Sequence, residues 1–294
     1  MYVGDVKFFP GIDPAPSETH KSDDGAIVIG AACPRRPLAK DEPPPQDEKE
    51  WWFDYCYARV FTSKERMSAR QWSGMIHLLD QRFGFERILM DAGAGGGGIY
   101  VKRELMAPEQ IINGALTTVV PICDLEEGPL LVPRGRFILH MFKRGDPGVD
   151  SVWPDPSGSG KSLAGDELLK DALYSSYKTA LENHIPAWPP AVGELLATQR
   201  EETLRWGRER LWALKNLDAG REQLMKILVE TSEKDGEEYQ VITQRGARKF
   251  HSLGKDDIAL AEMYAYGAFR IWLRAGDWNT KLPEEDAVGF SGSG

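Results

Sequence analysis

Three acidic positions in this 294-residue chain stand where carboxylates can act together. Asp13 closes the apolar run 6–13 (VKFFPGID), Asp91 closes the run 86–91 (ERILMD), and the pair Asp256-Asp257 opens a segment with helical periodicity. Each apolar run reads as a strand. Should the two be parallel neighbours, Asp13 and Asp91 project from one edge of a sheet, the edge at which α/β sheets place their ligands. In the last segment Asp257, Ala261, Tyr264, Ala268 and Ile271 recur at spacings of three and four, so Asp257 emerges on the side that packs against the sheet. Carboxylates gathered in this way repel one another unless a cation neutralises them, and all-oxygen ligands suit Mg²⁺ or Mn²⁺ rather than zinc. Two such ions about 3.5–4 Å apart activate water and stabilise the leaving oxygen of an in-line displacement at phosphorus, which makes phosphodiester hydrolysis the expected chemistry. Singly, each aspartate has a plainer role, as a strand-end turn residue or a helix cap. It is their joint placement that favours a site.

The elements that must position these residues follow from pattern. A second strand is expected over 25–32 (GAIVIGAA) and a third over 52–62, separated by a Pro-rich charged loop at 34–49. The three form an antiparallel meander. Ser68 caps a helix over 69–83, in which Trp72, Met75, Ile76, Leu79 and Phe83 fall at helical spacing and Gly84 ends the run. Passing through a helix to the strand at 86–91 favours a parallel placement beside the first strand. A Gly-rich loop (92–98), a short helix near 101–106 and a further strand over 117–122 complete the order βββαβαβ.

Downstream, 124–190 is expected as an insertion or accessory lobe with a hairpin around 136–142, a Gly/Ser/Pro-rich loop at 154–160 and a helix over 163–183. One or two long helices span 194–231, a short strand 238–242 and a final helix 257–274. The expected organisation is therefore a nuclease-like core in two parts, 1–123 and 191–276, interrupted by 124–190 and followed by a flexible tail, 277–294. The fold class is α/β, a mixed sheet of three antiparallel strands plus parallel strands, flanked by helices.

Composition sets the frame. Hydrophobic residues at 41% and charged residues at 28% describe an ordinary globular chain rather than a disordered one. No apolar stretch reaches a membrane span, and residues 1–5 carry no secretion signal, so a cytoplasmic location is expected. Cys33, Cys56 and Cys123 have no paired short spacing and read as reduced thiols. A net charge of −9 leaves nucleic-acid contacts to local basic runs. Two stand out: Arg134, Arg136, His140, Lys143 and Arg144, and Arg245, Arg248, Lys249, His251 and Lys255. Solvated faces are the competing explanation for both.

Two phosphate-binding patterns are set aside. Ser157-Gly158-Ser159-Gly160-Lys161-Ser162 ends like a nucleotide loop, but Asp155 replaces its first glycine and Val152-Trp153-Pro154 makes a poor buried strand. The glycines of 93–98 follow the fourth strand rather than the first, and no acidic ribose ligand ends the next one. The histidines, His20, His77, His140, His184 and His251, show no metal spacing, and core packing explains most of the tryptophans.

The acidic blocks resemble the motifs of the nuclease of tailed-bacteriophage large terminase subunits. Gly11-Ile12-Asp13-Pro14-Ala15, followed by Asp23-Asp24-Gly25-Ala26-Ile27-Val28-Ile29, is similar to the family's first strand with its metal-binding aspartate and the adjoining second strand. Ile88-Leu89-Met90-Asp91-Ala92-Gly93-Ala94-Gly95 resembles its second acidic motif. Lys255-Asp256-Asp257-Ile258-Ala259-Leu260-Ala261 resembles the third. The resemblance implies an RNase H-like fold with Asp13, Asp91 and Asp257 as catalytic metal ligands and Asp256 as a neighbour or alternative ligand. It further implies two Mg²⁺ or Mn²⁺ ions and cleavage of double-stranded concatemeric viral DNA during genome packaging. A terminase ATPase domain, the portal and the small terminase subunit are the implied partners, in host cytoplasm at the procapsid portal. Phosphates would be gripped by Arg134, Arg136, Lys143, Arg144, Arg245, Arg248 and Lys249. Two departures stand out. Leu260 occupies a place where the family often has an aspartate, leaving open which of Asp256 and Asp257 binds metal. The chain also begins almost at the nuclease motif, with no translocating ATPase ahead of it, which points to an excised domain or to separate chains. Two other readings are a junction resolvase or recombinase relative on the same fold, and a noncatalytic packaging module whose acidic surface docks a partner.

Overall fold

The computed structural model describes residues 6–15, 24–39, 42–62, 64–65, 67–91, 97–122, 139–141, 169–229, 232–234, 237–239 and 257–275. Its first half contains β1 (Lys7–Asp13), β2 (Gly25–Pro34), β3 (Trp51–Phe61), α1 (Ala69–Phe83), β4 (Ile88–Met90), α2 (Gly97–Leu105), β5 (Glu109–Ile112) and β6 (Ala115–Thr118). There follow β7 (Leu139–Met141), α3 (Leu169–Glu182), β8 (Pro186–Ala187), α4 (Val192–Thr198), α5 (Arg200–Leu204), α6 (Arg208–Val229), β9 (Ser232–Lys234), β10 (Glu237–Tyr239) and α7 (Asp257–Ala275). Among the described residues no helix is long and apolar enough to cross a membrane.

Six strands form one mixed sheet in the order β7-β4-β1-β2-β3-β8. β1, β2 and β3 are the antiparallel meander, β4 lies parallel to β1, and β7 lies parallel to β4. That order and sense is the RNase H-like arrangement the sequence suggests. The all-buried β2 sits at the centre, as a strand covered on both faces must.

Side-chain parity divides the sheet into two faces. Ile12, Ile27, Ile29, Ile88 and Met90 pack with Trp72, Ile76 and Leu79 of α1. Phe9, Ala26, Val28 and Leu89 pack with α7 and with parts of α3 and α6. In β3 the strict alternation breaks at Cys56, where the register shifts between Ile29 and Gly30. The extra residue sends Tyr55 to the α7 face and Tyr57 to the α1 face, which unbroken period-two spacing would have kept together.

α1 has the bounds its sequence dictates. Ser68 Oγ accepts from Gln71 N–H at 3.3 Å while Gln71 Oε1 accepts from Ser68 N–H at 2.8 Å, a reciprocal cap, and Gly84 ends the helix at φ 66°. α7 differs from its expected one-sided stripe. It is buried all round over residues 257–269, because sheet, α6 and α3 enclose it. Trp51 and Trp272 join Phe9, Phe53 and Phe269 in an aromatic cluster beneath it.

Two expectations are corrected. The strand over 117–122 does not enter the main sheet. Ala115–Thr118 instead turns back on Glu109–Ile112 as a hairpin through Asn113 and Gly114, at φ 52° and 81°, the positive values an Asn-Gly turn supplies. The strand that extends the sheet beyond β4 is β7, within the stretch read as a hairpin at 136–142. The long helical stretch after 191 is three helices, α4 to α6, and 238–242 is represented by β10, paired antiparallel with β9. Within 124–190 the described residues supply β7 and β8 to the main sheet, and Tyr177, Ala180 and Ile185 to the core under α7.

Candidate metal centre

β1 carries Phe9, Gly11 and Asp13 on the face that meets α7. Phe9 packs its ring against Phe269 and Trp272, at centroid separations of 5.5 and 5.3 Å. Two residues further along, a Cβ on Gly11 would collide with the backbone of Ala261, Tyr264 and Ala265. Contact therefore moves toward the start of α7 as β1 moves toward its end. Asp13 is the next position on that face, and the helix begins at Asp257, which is buried. Glycine is required at position 11 because strand and helix approach to backbone contact there.

β4 delivers the second aspartate by its pairing. Ile12 is aligned with Met90, and Asp91 N–H donates to Ile12 carbonyl oxygen at 3.1 Å, so Asp91 leaves the sheet directly beside Asp13. Asp91 shares parity with Leu89, which faces α7. The Tyr264 hydroxyl donates to Asp91 Oδ2 at 3.1 Å. One helix thus carries Asp257 and, two turns on, a hydroxyl that fixes Asp91.

Asp24, quoted in the sequence reading without a role, is a further aspartate on the same face. It precedes β2 and shares parity with Ala26 and Val28, hence the α7 face, and Ala26 is the register partner of Asp13. Asp24 is buried. Counting two back from Ala26 was the signal that would have found it, masked by the turn-like polarity of residues 14–24.

Around the start of α7 the polar contacts are specific. Gln223 Oε1 in α6 accepts from Ile258 and Ala259 N–H at 3.1 and 3.2 Å. Glu262 is wholly buried and its Oε1 accepts from Trp188 Nε1–H at 3.1 Å. Burial pushes its carboxyl up to about 8, against the Trp188 hydrogen bond and Arg221, which favour the charged form. His77 Nε2–H donates to the Leu105 carbonyl oxygen at 3.3 Å in the α1 core, and burial lowers its basicity, which is a packing role.

Asp13 and Asp91 thus end adjacent parallel strands, and Asp257 starts the helix that packs on β1. Among the described residues, no three His, Cys, Asp or Glu side chains stand close enough together to hold an ion. The donor set of the three aspartates, all carboxylate oxygen, fits Mg²⁺ or Mn²⁺. Asp256, the glycines of 93–96, Cys123, the nucleotide-loop-like segment 157–162 and the expected DNA contacts Arg134, Arg136, Lys143, Arg144, Arg245, Arg248 and Lys249 lie outside the described residues.

No protein-family model matches the sequence, and no curated protein matches it. Among solved structures, the chain is similar to the nuclease domain of the large terminase subunit gp2 of bacterial virus Sf6. The identity is 11% and the TM-score 0.41, with 90% of this chain and 88% of that chain covered.

Proposed function

We propose that this chain is a divalent-metal-dependent endonuclease that cuts double-stranded concatemeric viral DNA during genome packaging. What supports the reading is the pairing that sets Asp91 beside the end of β1, the Tyr264 hydroxyl on Asp91, and the burial of Asp257 at the start of the helix that packs on β1. In this reading Asp13, Asp91 and Asp257, with Asp256 as neighbour, hold two Mg²⁺ or Mn²⁺ ions. When bound, such ions supply the Lewis acidity that activates water and stabilises the leaving oxygen at phosphorus.

The chain's own residues do the rest. Asp13 and Asp91 present carboxylate oxygens from adjacent strands whose spacing the sheet fixes, so neither has to be ordered at the moment of reaction. Tyr264 holds Asp91 in one orientation by its hydrogen bond to Oδ2. Asp257 is carried on a helix enclosed on all sides, which excludes water from behind the site. Arg134, Arg136, Lys143, Arg144, Arg245, Arg248 and Lys249 are assigned to phosphate contacts that position the duplex. A terminase ATPase domain, the portal and the small terminase subunit are the proposed partners, in host cytoplasm at the procapsid portal.

Plasmid cleavage in Mn²⁺ or Mg²⁺ tests the reading. Cleavage should vanish in Asp13→Asn and Asp91→Asn proteins that melt as folded chains. Persistence in both would refute the assignment. Preference for branched junctions over linear duplex would point to a resolvase instead, and no heat with Mn²⁺ in calorimetry to a docking module.

A further inference from the structure

α6 meets the start of α7 along one short face. Gly220 and Gln223, three residues apart, lie together on that side of α6. A Cβ on Gly220 would strike Glu262 Oε1 and Ile258 Cγ2, so the Glu262 and Ile258 side chains lie directly against the bare backbone of α6 there. Further along the same face the Gln223 carboxamide oxygen accepts from both Ile258 and Ala259 N–H. These belong to the first turn of a helix, whose N–H groups have no carbonyl partner within it. A side chain 34 residues upstream of Asp257 in sequence thus satisfies two of them at once. A neutral acceptor suits this place, because it completes the helix end without adding a negative charge beside Asp257.

We propose that Gln223 is a positioning residue for Asp257, holding the first turn of α7 so that the Asp257 carboxylate stays level with Asp13 and Asp91. This rests on the metal-nuclease reading. Gln223 touches neither metal nor DNA in this account; it acts through the helix backbone. Gly220 is the partner feature that lets α6 come near enough for the carboxamide to reach.

The test measures Mn²⁺ binding by calorimetry and Mn²⁺-dependent plasmid cleavage by the whole chain as Gln223→Met, which keeps side-chain length and removes the carboxamide. The Mn²⁺ dissociation constant is expected to rise with the half-saturating concentration. Gln223→Ala serves as the second variant should the first fail to fold. The expected result is a half-saturating Mn²⁺ concentration raised ~10-fold, with kcat reduced and the KM for DNA unchanged. A purely structural defect would lower the active fraction and leave the Mn²⁺ requirement where it was. Wild-type Mn²⁺ requirement in the folded variant overturns the inference alone. A wild-type protein with no Mn²⁺-dependent cleavage overturns the nuclease reading and takes this inference with it.

Discussion

At the scale of single residues, the site depends on a few hydrogen bonds that no local pattern announces. Tyr264→Phe removes the donor to Asp91 Oδ2. The expected cost is about 1 kcal/mol of folding stability, measured by denaturant unfolding. Cleavage should fall ~10-fold, because a carboxylate freed to rotate binds its ion less well. Glu262 gives a second prediction with a definite sign. Its folded carboxyl titrates at about 8 against an ordinary value of 4.5, so between those limits the folded protein keeps a proton that the unfolded chain has released. The stabilising contribution is complete below pH 4.5, declines as pH rises toward about 8, and is lost above it. Glu262→Gln should abolish that part of the slope when unfolding free energy is measured across the interval. That Asp13 and Asp91 stand at strand ends and Asp257 at a helix start was legible, because such boundaries advertise themselves. Tyr264 and Gln223 were not, since each contact joins residues far apart in sequence and depends on packing that periodicity does not encode.

At the scale of elements, the close approach of β1 to α7 sets the geometry. Gly11→Ala would place a methyl group against helix backbone, which has no rotamer with which to retreat. The expected loss is about 1–3 kcal/mol of stability, read from thermal or denaturant unfolding, and activity should fall with it because α7 carries Asp257. Strand and helix positions near the site followed from sequence almost residue by residue, as with Ser68, Gly84 and α1. The failures share a cause. Residues 117–122 are apolar enough for a strand, but Asn113-Gly114 is hairpin chemistry and folds Ala115–Thr118 back on its neighbour. β7 is three residues long and owes its place to pairing with β4, a long-range contact that outweighs its weak local signal. The bulge at Cys56 likewise reassigns Tyr57 to the opposite face, which alternation alone cannot foresee.

At the scale of the whole molecule, the account makes stability and metal binding one property. In the proposed reading, gathering carboxylates at one edge costs folding free energy that a bound cation restores. Without metal, Asp13→Asn should therefore melt at a higher temperature than the wild-type chain. With Mn²⁺ at a hundred times its dissociation constant the wild type should gain about 2.7 kcal/mol, and Asp13→Asn should not respond. Scanning calorimetry with and without Mn²⁺ checks both statements. The most direct test is anomalous diffraction from crystals of the wild-type chain soaked in Mn²⁺. Density peaks within coordination distance of Asp13, Asp91 and the Asp256-Asp257 pair are the predicted result; a fully soaked crystal with no peak between those residues would contradict the account.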